Sequence, residues 1–362
     1  MLQKCIDLDH PVKELQVSVQ NYLNTIQNLP RGTNFDINNC DVKFGGFIGQ
    51  KRTTVKKNTR DLIEEFHIAF LDLSQPDRDR FILIFNQTND VQTQFANPNT
   101  ALRLLDYPIG IRKQTKALFL HLYKDTLGKY DIKDHYKKVF KEKKDTWCPF
   151  CGMEKFVSFK RFKQDYDHLL YKAKYPVASV NMHNLAPMGI KCNRIHKKTD
   201  DLLMDDDGNI RSAVNPYYNI ISPIFDLKGS TMSSDPSKRV WQVNITPNSS
   251  EVLTWDSVFD ITDRCKEEFL EKLDNSKQET ECDKLINEFR KDSMNRIAFE
   301  KDSKIYVQWN LDRLEGEIRL KRNSFNTNYY HEYNFIKHAL FDFLLTDECL
   351  NYRNAVLKMI TI

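Results

Sequence analysis

Residues suited to metal-dependent phosphate chemistry lie close together between Trp147 and Thr199. Asp167 offers a carboxylate for a hard cation, and the adjacent His168 offers an imidazole that can take a proton from water near neutral pH. Asn184 follows His168 after sixteen residues, and Asn193 follows after nine more. We expect Asn184 to bridge backbone groups across a loop, and the amide oxygen of Asn193 to suit Mg²⁺ or Mn²⁺.

Cysteines in the same segment suit a second, softer metal. Cys148 and Cys151 form a C-x-x-C pair, a spacing typical of metal sites. Thiolates are among the ligands that zinc prefers. The alternative is that the cysteines are buried thiols that bind no metal.

Basic residues are concentrated around these groups. Residues 129–198 hold 17 Lys or Arg against seven Asp or Glu, whereas the whole chain has a net charge of only +4. Such a segment suits contact with a polyanion, and the alternative is a solvated lysine-rich helix. The candidate phosphate-contacting side chains are Lys172, Lys174, Arg194, Lys197 and Lys198.

The flanking segments look like a helical scaffold. Residues 11–29, 61–73 and 118–140 have apolar side chains at helical spacing, with a break expected at Gly128, whereas 38–50 reads as loop or short strand. Residues 240–246 alternate like a strand, and the chain from 255 onward is mostly helical. Asp167-His168 ends a short alternating stretch, which predicts that the pair lies on a strand end.

Composition excludes several classes of protein. The 362 residues are 40% hydrophobic, and no stretch approaches the roughly 18 apolar residues that a membrane span requires. The first residues contain no apolar signal core, which predicts a cytoplasmic protein with no membrane contact. No G-x-x-x-x-G-K-[ST] phosphate-binding motif occurs in the chain.

The combination of motifs is more specific than any one of them, since D-H alone is a common dipeptide. C-x-x-C, D-H, Y-P, N-L-x-P and C-N with basic residues, in this order, resemble the HNH (ββα-metal, His-Me finger) endonuclease family. The segments CPFCG, DHLLYKAKYP and NLAPMGIKCN look like the HNH nucleases that are coupled to ATPases in bacterial phage defence. The resemblance covers about 55 of the 362 residues.

This resemblance implies roles for the motif residues. His168 would be the general base, Asp167 and Asn193 the ligands of the catalytic Mg²⁺ or Mn²⁺, and Asn184 the asparagine that fixes the loop. The resemblance also implies a structural Zn²⁺ held by Cys148, Cys151 and Cys192. Its fourth ligand is open: His196 shares a helix face with Cys192 if this part is helical, and His183 is another candidate. The sequence departs from the family at two positions. Gly189 stands where the first cysteine of a second C-x-x-C is usual, and Tyr171 stands where a proline is common.

We therefore predict an α+β, mostly helical fold with a central ββα-metal HNH module between helical N- and C-terminal regions. The predicted parts are a helical region (1–145), the nuclease module with its structural zinc (146–204), and a loop-rich and then helical region (205–362). The resemblance implies hydrolysis of phosphodiester bonds in DNA during bacterial defence, by phage resistance or restriction, with any ATPase or regulatory partner encoded separately. The alternatives are an RNA-cleaving HNH nuclease and a non-catalytic, zinc-stapled module that binds nucleic acid or protein.

Overall fold

The computed structural model describes residues 2–48, 58–142, 147–156, 166–233, 235–270, 287–288, 291–292 and 306–360. The chain divides into two compact units. The first comprises residues 3–150 and 155–220, and the second comprises residues 151–154 and 221–362.

The first unit is built largely from helices. They are α1 (Glu14–Ile26), α2 (Val42–Ile48), α3 (Thr59–Asp72), α4 (Gln75–Asn89), α5 (Val91–Ala96), α6 (Arg112–His121) and α7 (Ile132–Glu142). The predicted helices within 11–29 and 61–73 are confirmed, because α1 and α3 bury the apolar faces that the spacing indicated.

Two sequence-based predictions in this unit were wrong. Residues 42–48 form a helix and not a loop or strand, and its first turn is fixed by the Asp41 carboxylate, which accepts a hydrogen bond from the Phe44 amide. After α6 the chain stays helical through a π-type turn (Leu122–Thr126) and a 3-10 turn (Leu127–Tyr130), so the break falls at Asp131, which has a φ of 62°, and not at Gly128. A single residue in the left-handed region is enough to end one helix and redirect the chain into the next.

The first unit also contains an antiparallel hairpin of β1 (Tyr166–His168) and β2 (Leu185–Pro187). A short helix of π type, Lys191–Lys197, follows β2, and we call it the site helix. Tyr166, Val177 and Leu185 belong to the same buried core as the apolar faces of α1, α3, α4 and α6. The hairpin therefore has no separate core of its own, and the N-terminal helices support it directly.

The second unit has a two-stranded antiparallel sheet and further helices. β3 (Ile224–Asp226) pairs with β4 (Asn244–Thr246), so the strand predicted over 240–246 forms only at its end. The helices are α8 (Ser250–Phe259), α9 (Ile261–Arg264), α10 (Tyr306–Ser324), α11 (Asn334–Phe343) and α12 (Leu350–Ile360), and a π-type turn (Cys265–Leu270) follows α9.

The architecture is α+β and mostly helical, as the sequence predicted, with two small sheets in the described residues. Within these same residues, no helix combines the length and apolar character required to cross a bilayer.

Candidate active site and metal centre

The hairpin brings Asp167 and His168 onto β1, next to the end of the strand. Asp167 pairs with Ala186 and His168 with Leu185 on β2. Both side chains are largely buried, with exposed fractions of 9% for Asp167 and 3% for His168. The prediction that the D-H pair lies on a strand end is confirmed.

Asn184 fastens the loop that connects the two strands. Its Oδ1 accepts a hydrogen bond from the Leu170 amide at 2.6 Å, and its Nδ2 donates to the carbonyl oxygens of Ala178 at 3.0 Å and Leu170 at 3.3 Å. Asn184 is fully buried, so these three bonds satisfy amide atoms that water does not reach. The side chain therefore ties the end of β1 to the loop ahead of β2, as the sequence predicted for this asparagine.

The same loop orients the imidazole of His168. His168 Nε2 lies 3.1 Å from the carbonyl oxygen of Ser179, and the Ser179 hydroxyl in turn donates to the Phe119 carbonyl of α6 at 2.9 Å. The Tyr123 ring packs edge-on against the imidazole at 4.3 Å between centroids. Burial lowers the pKa of His168 well below its usual value, and the nearby ammonium of Lys172 lowers it further.

Asp167 makes an ion pair with a lysine from the site helix. Lys197 Nζ lies 2.8 Å from Asp167 Oδ2, and the Lys197 side chain is only 1% exposed. Oδ2 is itself buried, and apart from this ion pair it accepts no hydrogen bond from the described residues. Lys197 was predicted to contact nucleic acid at the surface, but in this structure its ammonium is directed inward.

The site helix carries Asn193 one turn before Lys197. Its winding is of the π type, with the Lys198 amide donating to the Asn193 carbonyl at 3.0 Å. Lys198 has a φ of +47°, in the left-handed region that non-glycine residues adopt only at a cost. The Asn193 side chain is partly buried and forms no hydrogen bond with the residues described here.

Three of the candidate zinc ligands form one cluster. The Sγ atoms of Cys148, Cys151 and Cys192 all lie within 4.8 Å of one another, and all three residues are fully buried. Three converging thiol groups are a donor set that suits a soft or borderline cation. This group could therefore hold a metal ion such as zinc.

Hydrogen-bond donors lie close to the sulfur atoms of Cys148 and Cys151. The Gly189 amide donates to Cys148 Sγ at 3.3 Å, and the Met153 amide donates to Cys151 Sγ at 3.4 Å. Arg264 Nη2 lies 3.7 Å from Cys151 Sγ. These donors stabilise negative charge on sulfur, which is the form of cysteine that binds metals. Gly189 thus contributes its backbone amide to this cluster.

The backbone requires a glycine directly after the C-x-x-C pair. Gly152 has a φ of +66°, and a Cβ atom there would lie 2.1 Å from the carbonyl oxygen of Tyr330. Only glycine satisfies both the left-handed backbone and the close approach. Sequence reasoning missed Gly152 as a site residue, although its place directly after Cys151 was a usable signal.

Neither histidine proposed as the fourth zinc ligand belongs to the cysteine cluster. His196, the preferred candidate, is partly exposed on the site helix, whereas the three sulfur atoms are buried, and it is not a member of the group described above. His183 instead uses both ring nitrogens elsewhere, with Nε2 3.1 Å from Asp7 Oδ2 and Nδ1 3.0 Å from the Tyr218 hydroxyl. Among the described residues, the donor set is therefore three sulfur atoms.

The remaining predicted phosphate contacts are in varied environments. Lys172 Nζ lies over the Tyr123 ring, 5.1 Å from its centroid. Lys174 forms an ion pair with the buried Asp201 at 3.4 Å. Arg194 is exposed on the site helix, and Lys198 is exposed directly after it.

Comparison with protein-family models, with curated proteins and with solved structures finds no match for this chain.

Proposed function

We propose that this protein is a metal-dependent endonuclease of the HNH type that hydrolyses phosphodiester bonds, with DNA as its substrate. The observation that carries the proposal is the hydrogen bond between His168 Nε2 and the Ser179 carbonyl oxygen. It decides which nitrogen of the imidazole can act as a base.

A carbonyl oxygen only accepts hydrogen bonds, so Nε2 must carry the proton in this pair. The neutral ring then has its lone pair on Nδ1, which is the nitrogen left to accept a proton from water. The lowered pKa of His168 keeps the ring neutral at physiological pH, as a base must be before it acts. Asn184 supports this arrangement because it holds the loop that contains Ser179.

Asp167 and Asn193 are the proposed ligands of the catalytic Mg²⁺ or Mn²⁺. Apart from its ion pair with Lys197, the buried Asp167 Oδ2 accepts no hydrogen bond within the described residues, and the Asn193 amide forms none there either. Oxygen ligands of this kind fit a hard divalent cation. When bound, such a cation stabilises the charge that develops on the phosphate and the leaving oxygen.

Zinc has a structural role in this proposal. The hairpin is short, and the cysteine cluster joins the C-x-x-C turn to the site helix through Cys192. A metal that ties these segments together would fix the helix that carries Asn193.

The substrate and the pathway are the parts of the proposal that rest on resemblance. We propose DNA cleavage in bacterial defence, with a separate ATPase or regulatory protein as partner, and we retain RNA cleavage as the alternative substrate. The basic residues near the hairpin suit the backbone of either polymer, because phosphate contacts carry no sequence information.

One observation favours a different function, a non-catalytic module that binds nucleic acid or protein. The Lys197 ammonium already neutralises Asp167, so the buried carboxylate is satisfied without a cation. In that case the cluster of His168, Asp167 and Asn184 would serve only to hold the hairpin.

Incubation with plasmid, single-stranded DNA and total RNA tests the proposal. We expect cleavage with Mg²⁺ or Mn²⁺ and none with EDTA. His168→Ala should lower the rate by roughly 10²–10⁴-fold or more, since this is the contribution of a general base. His338→Ala, a partly buried histidine of the second unit, is the matched control and should cleave normally. Cleavage that resists EDTA would contradict the metal mechanism, and no cleavage of any substrate would favour the binding module.

A further inference from the structure

Lys197 differs from the other basic residues of its segment. Arg194 and Lys198 are exposed residues, whereas the Lys197 side chain is 1% exposed and its ammonium lies 2.8 Å from Asp167 Oδ2. A lysine with a long flexible side chain normally keeps its charge in water. Its burial here indicates that the Asp167 carboxylate holds it in place.

The ammonium and a divalent cation would compete for the same carboxylate. A magnesium ion binds a carboxylate oxygen at about 2.0–2.1 Å and requires unobstructed lone pairs. Oδ2 is buried beneath the Lys197 ammonium, so a cation cannot reach it while that contact persists. Even at the other oxygen, the cation would lie beside a like charge in a poorly solvated site, where repulsion is strong.

The backbone around Lys197 is consistent with a switch. The site helix is wound as a π-helix through Lys197, and Lys198 follows in a strained left-handed conformation. Strain of this kind persists only where surrounding contacts compensate for it, and it is frequent at functional positions. The ion pair between Asp167 and Lys197 connects the end of this turn to β1.

We propose that Lys197 is an internal counter-ion that occupies the place of the cation in the metal-free protein and must leave Asp167 before the cation can bind. This inference rests on the proposed function in taking Asp167 as a cation ligand and nucleic acid as the partner of the displaced ammonium. Displacement frees an ammonium group next to the site, where a phosphate of the nucleic acid can accept it. Metal and nucleic acid therefore bind cooperatively, and the free protein binds the cation weakly.

Mn²⁺ binding in the absence of nucleic acid tests this proposal. Binding is measured from the loss of the electron paramagnetic resonance signal of the free ion. Lys197→Met and Lys197→Gln should each bind Mn²⁺ roughly tenfold or more tightly than the unaltered protein, because the competing charge is removed. Adding Asp167→Asn should abolish the gain. Lys198→Met, which removes the neighbouring exposed charge, should change the affinity by less than about threefold. Unchanged or weaker Mn²⁺ binding in both Lys197 variants overturns the proposal.

Acetylation of the unaltered protein tests the same proposal without any substitution. Lys197 should resist acetylation in the absence of metal and become reactive as Mn²⁺ saturates the protein, whereas Lys198 should react under both conditions. Mass spectrometry of the peptides measures both sites. A Lys197 that stays protected at saturating Mn²⁺ contradicts displacement.

The outcomes also separate this inference from the nuclease proposal. A gain in Asp167-dependent Mn²⁺ binding by Lys197→Met, without cleavage by any form of the protein, supports the counter-ion and refutes the nuclease. Normal cleavage by the unaltered protein, with no gain in Mn²⁺ binding, refutes the counter-ion alone.

Discussion

The ammonium nitrogen of Lys197 lies 2.8 Å from Oδ2 of Asp167, and both side chains are largely removed from water. The pair joins the site helix to β1, so it fixes the position of the two elements that carry the proposed cation ligands. A cation that binds at Asp167 must therefore compete with the Lys197 ammonium.

Removal of one partner of this ion pair should destabilise the protein. We expect Asp167→Ala to lower the free energy of unfolding by about 3–5 kcal/mol, because it leaves the Lys197 ammonium buried without a counter-ion. The double variant Asp167→Ala/Lys197→Met should recover most of that loss. Urea denaturation followed by circular dichroism measures both effects.

The control for this cycle is the exposed pair between Lys138 and Asp134, at 3.2 Å. Lys138→Met should cost less than about 1 kcal/mol, as is usual for ion pairs in water. If the losses from Asp167→Ala and Lys197→Met simply add in the double variant, the two side chains are not coupled and the expectation fails.

The cysteine cluster predicts zinc binding that does not depend on His196. Elemental analysis should find zinc in the purified protein and in His196→Ala, but not in Cys148→Ser or Cys192→Ser. Cys5→Ser changes a buried cysteine outside the cluster and should retain the metal. Loss of zinc from His196→Ala would restore the histidine as the fourth ligand.

The sequence predicted those parts of the site that depend on local chemistry. The strand that carries Asp167-His168 and the bridging role of Asn184 follow from residue types and spacing, whereas the meeting of Cys148, Cys151 and Cys192 was implied by resemblance to a known family. Each can be foreseen because its geometry is decided within a short segment or by a ligand preference.

Other features depend on tertiary packing and were not predictable. The inward direction of Lys197 arises from the π winding of its helix and from Asp167 across the hairpin, neither of which a basic run reveals. The helix over 42–48 contains two adjacent glycines, whose low helix propensity argued against a helix there. The burial of Phe44 and Ile48 outweighs that preference. The shared core explains why the hairpin does not separate from the N-terminal helices as an independent module.

A buried histidine near β1 predicts loss of stability in acid. Burial lowers the pKa of His135 to about 4, and the neighbouring His10 also contributes. The unfolded chain takes up this proton near pH 6.5, so the contribution to stability is complete above about pH 6.5 and is lost as the pH falls toward 4.

The expected size of this loss is roughly 3 kcal/mol, from about 1.4 kcal/mol for each pH unit of difference. His135→Gln can retain a hydrogen bond to Tyr166, which His135 Nδ1 contacts at 2.5 Å, and should remove that part of the pH dependence. Denaturation at pH values from about 7 to 4 measures it. His196→Gln, at a partly exposed position, is the control, and an equal effect in both variants would show that His135 is not the group responsible.

Removal of the Asn184 side chain should lower both the stability of the protein and its rate of cleavage. Asn184→Ala leaves the Leu170 amide and the Ala178 carbonyl without their partner, at about 1–3 kcal/mol for each buried group. The loop with the Ser179 carbonyl then no longer fixes the His168 ring, so cleavage should fall together with stability. Asn181→Ala, which loses bonds from the same loop to Asn89, is the comparison. Equal cleavage by Asn184→Ala and the unaltered protein would remove its positioning role.

Helix α7 presents a row of lysines that we expect to contact nucleic acid. Lys133, Lys137 and Lys141 are exposed and four residues apart, so they share one face of the helix. Each phosphate contact releases counter-ions and contributes about 0.9 to the slope of log affinity against log salt, so changing all three to Gln should reduce that slope by about 2–3. Fluorescence anisotropy with labelled DNA over a range of salt concentrations measures this. Lys138→Gln is the control, because Lys138 already pairs with Asp134 on the same helix and should alter the slope little. A slope that is unchanged in the triple variant would show that this face meets only solvent, and the basic run would then be a solvated helix surface.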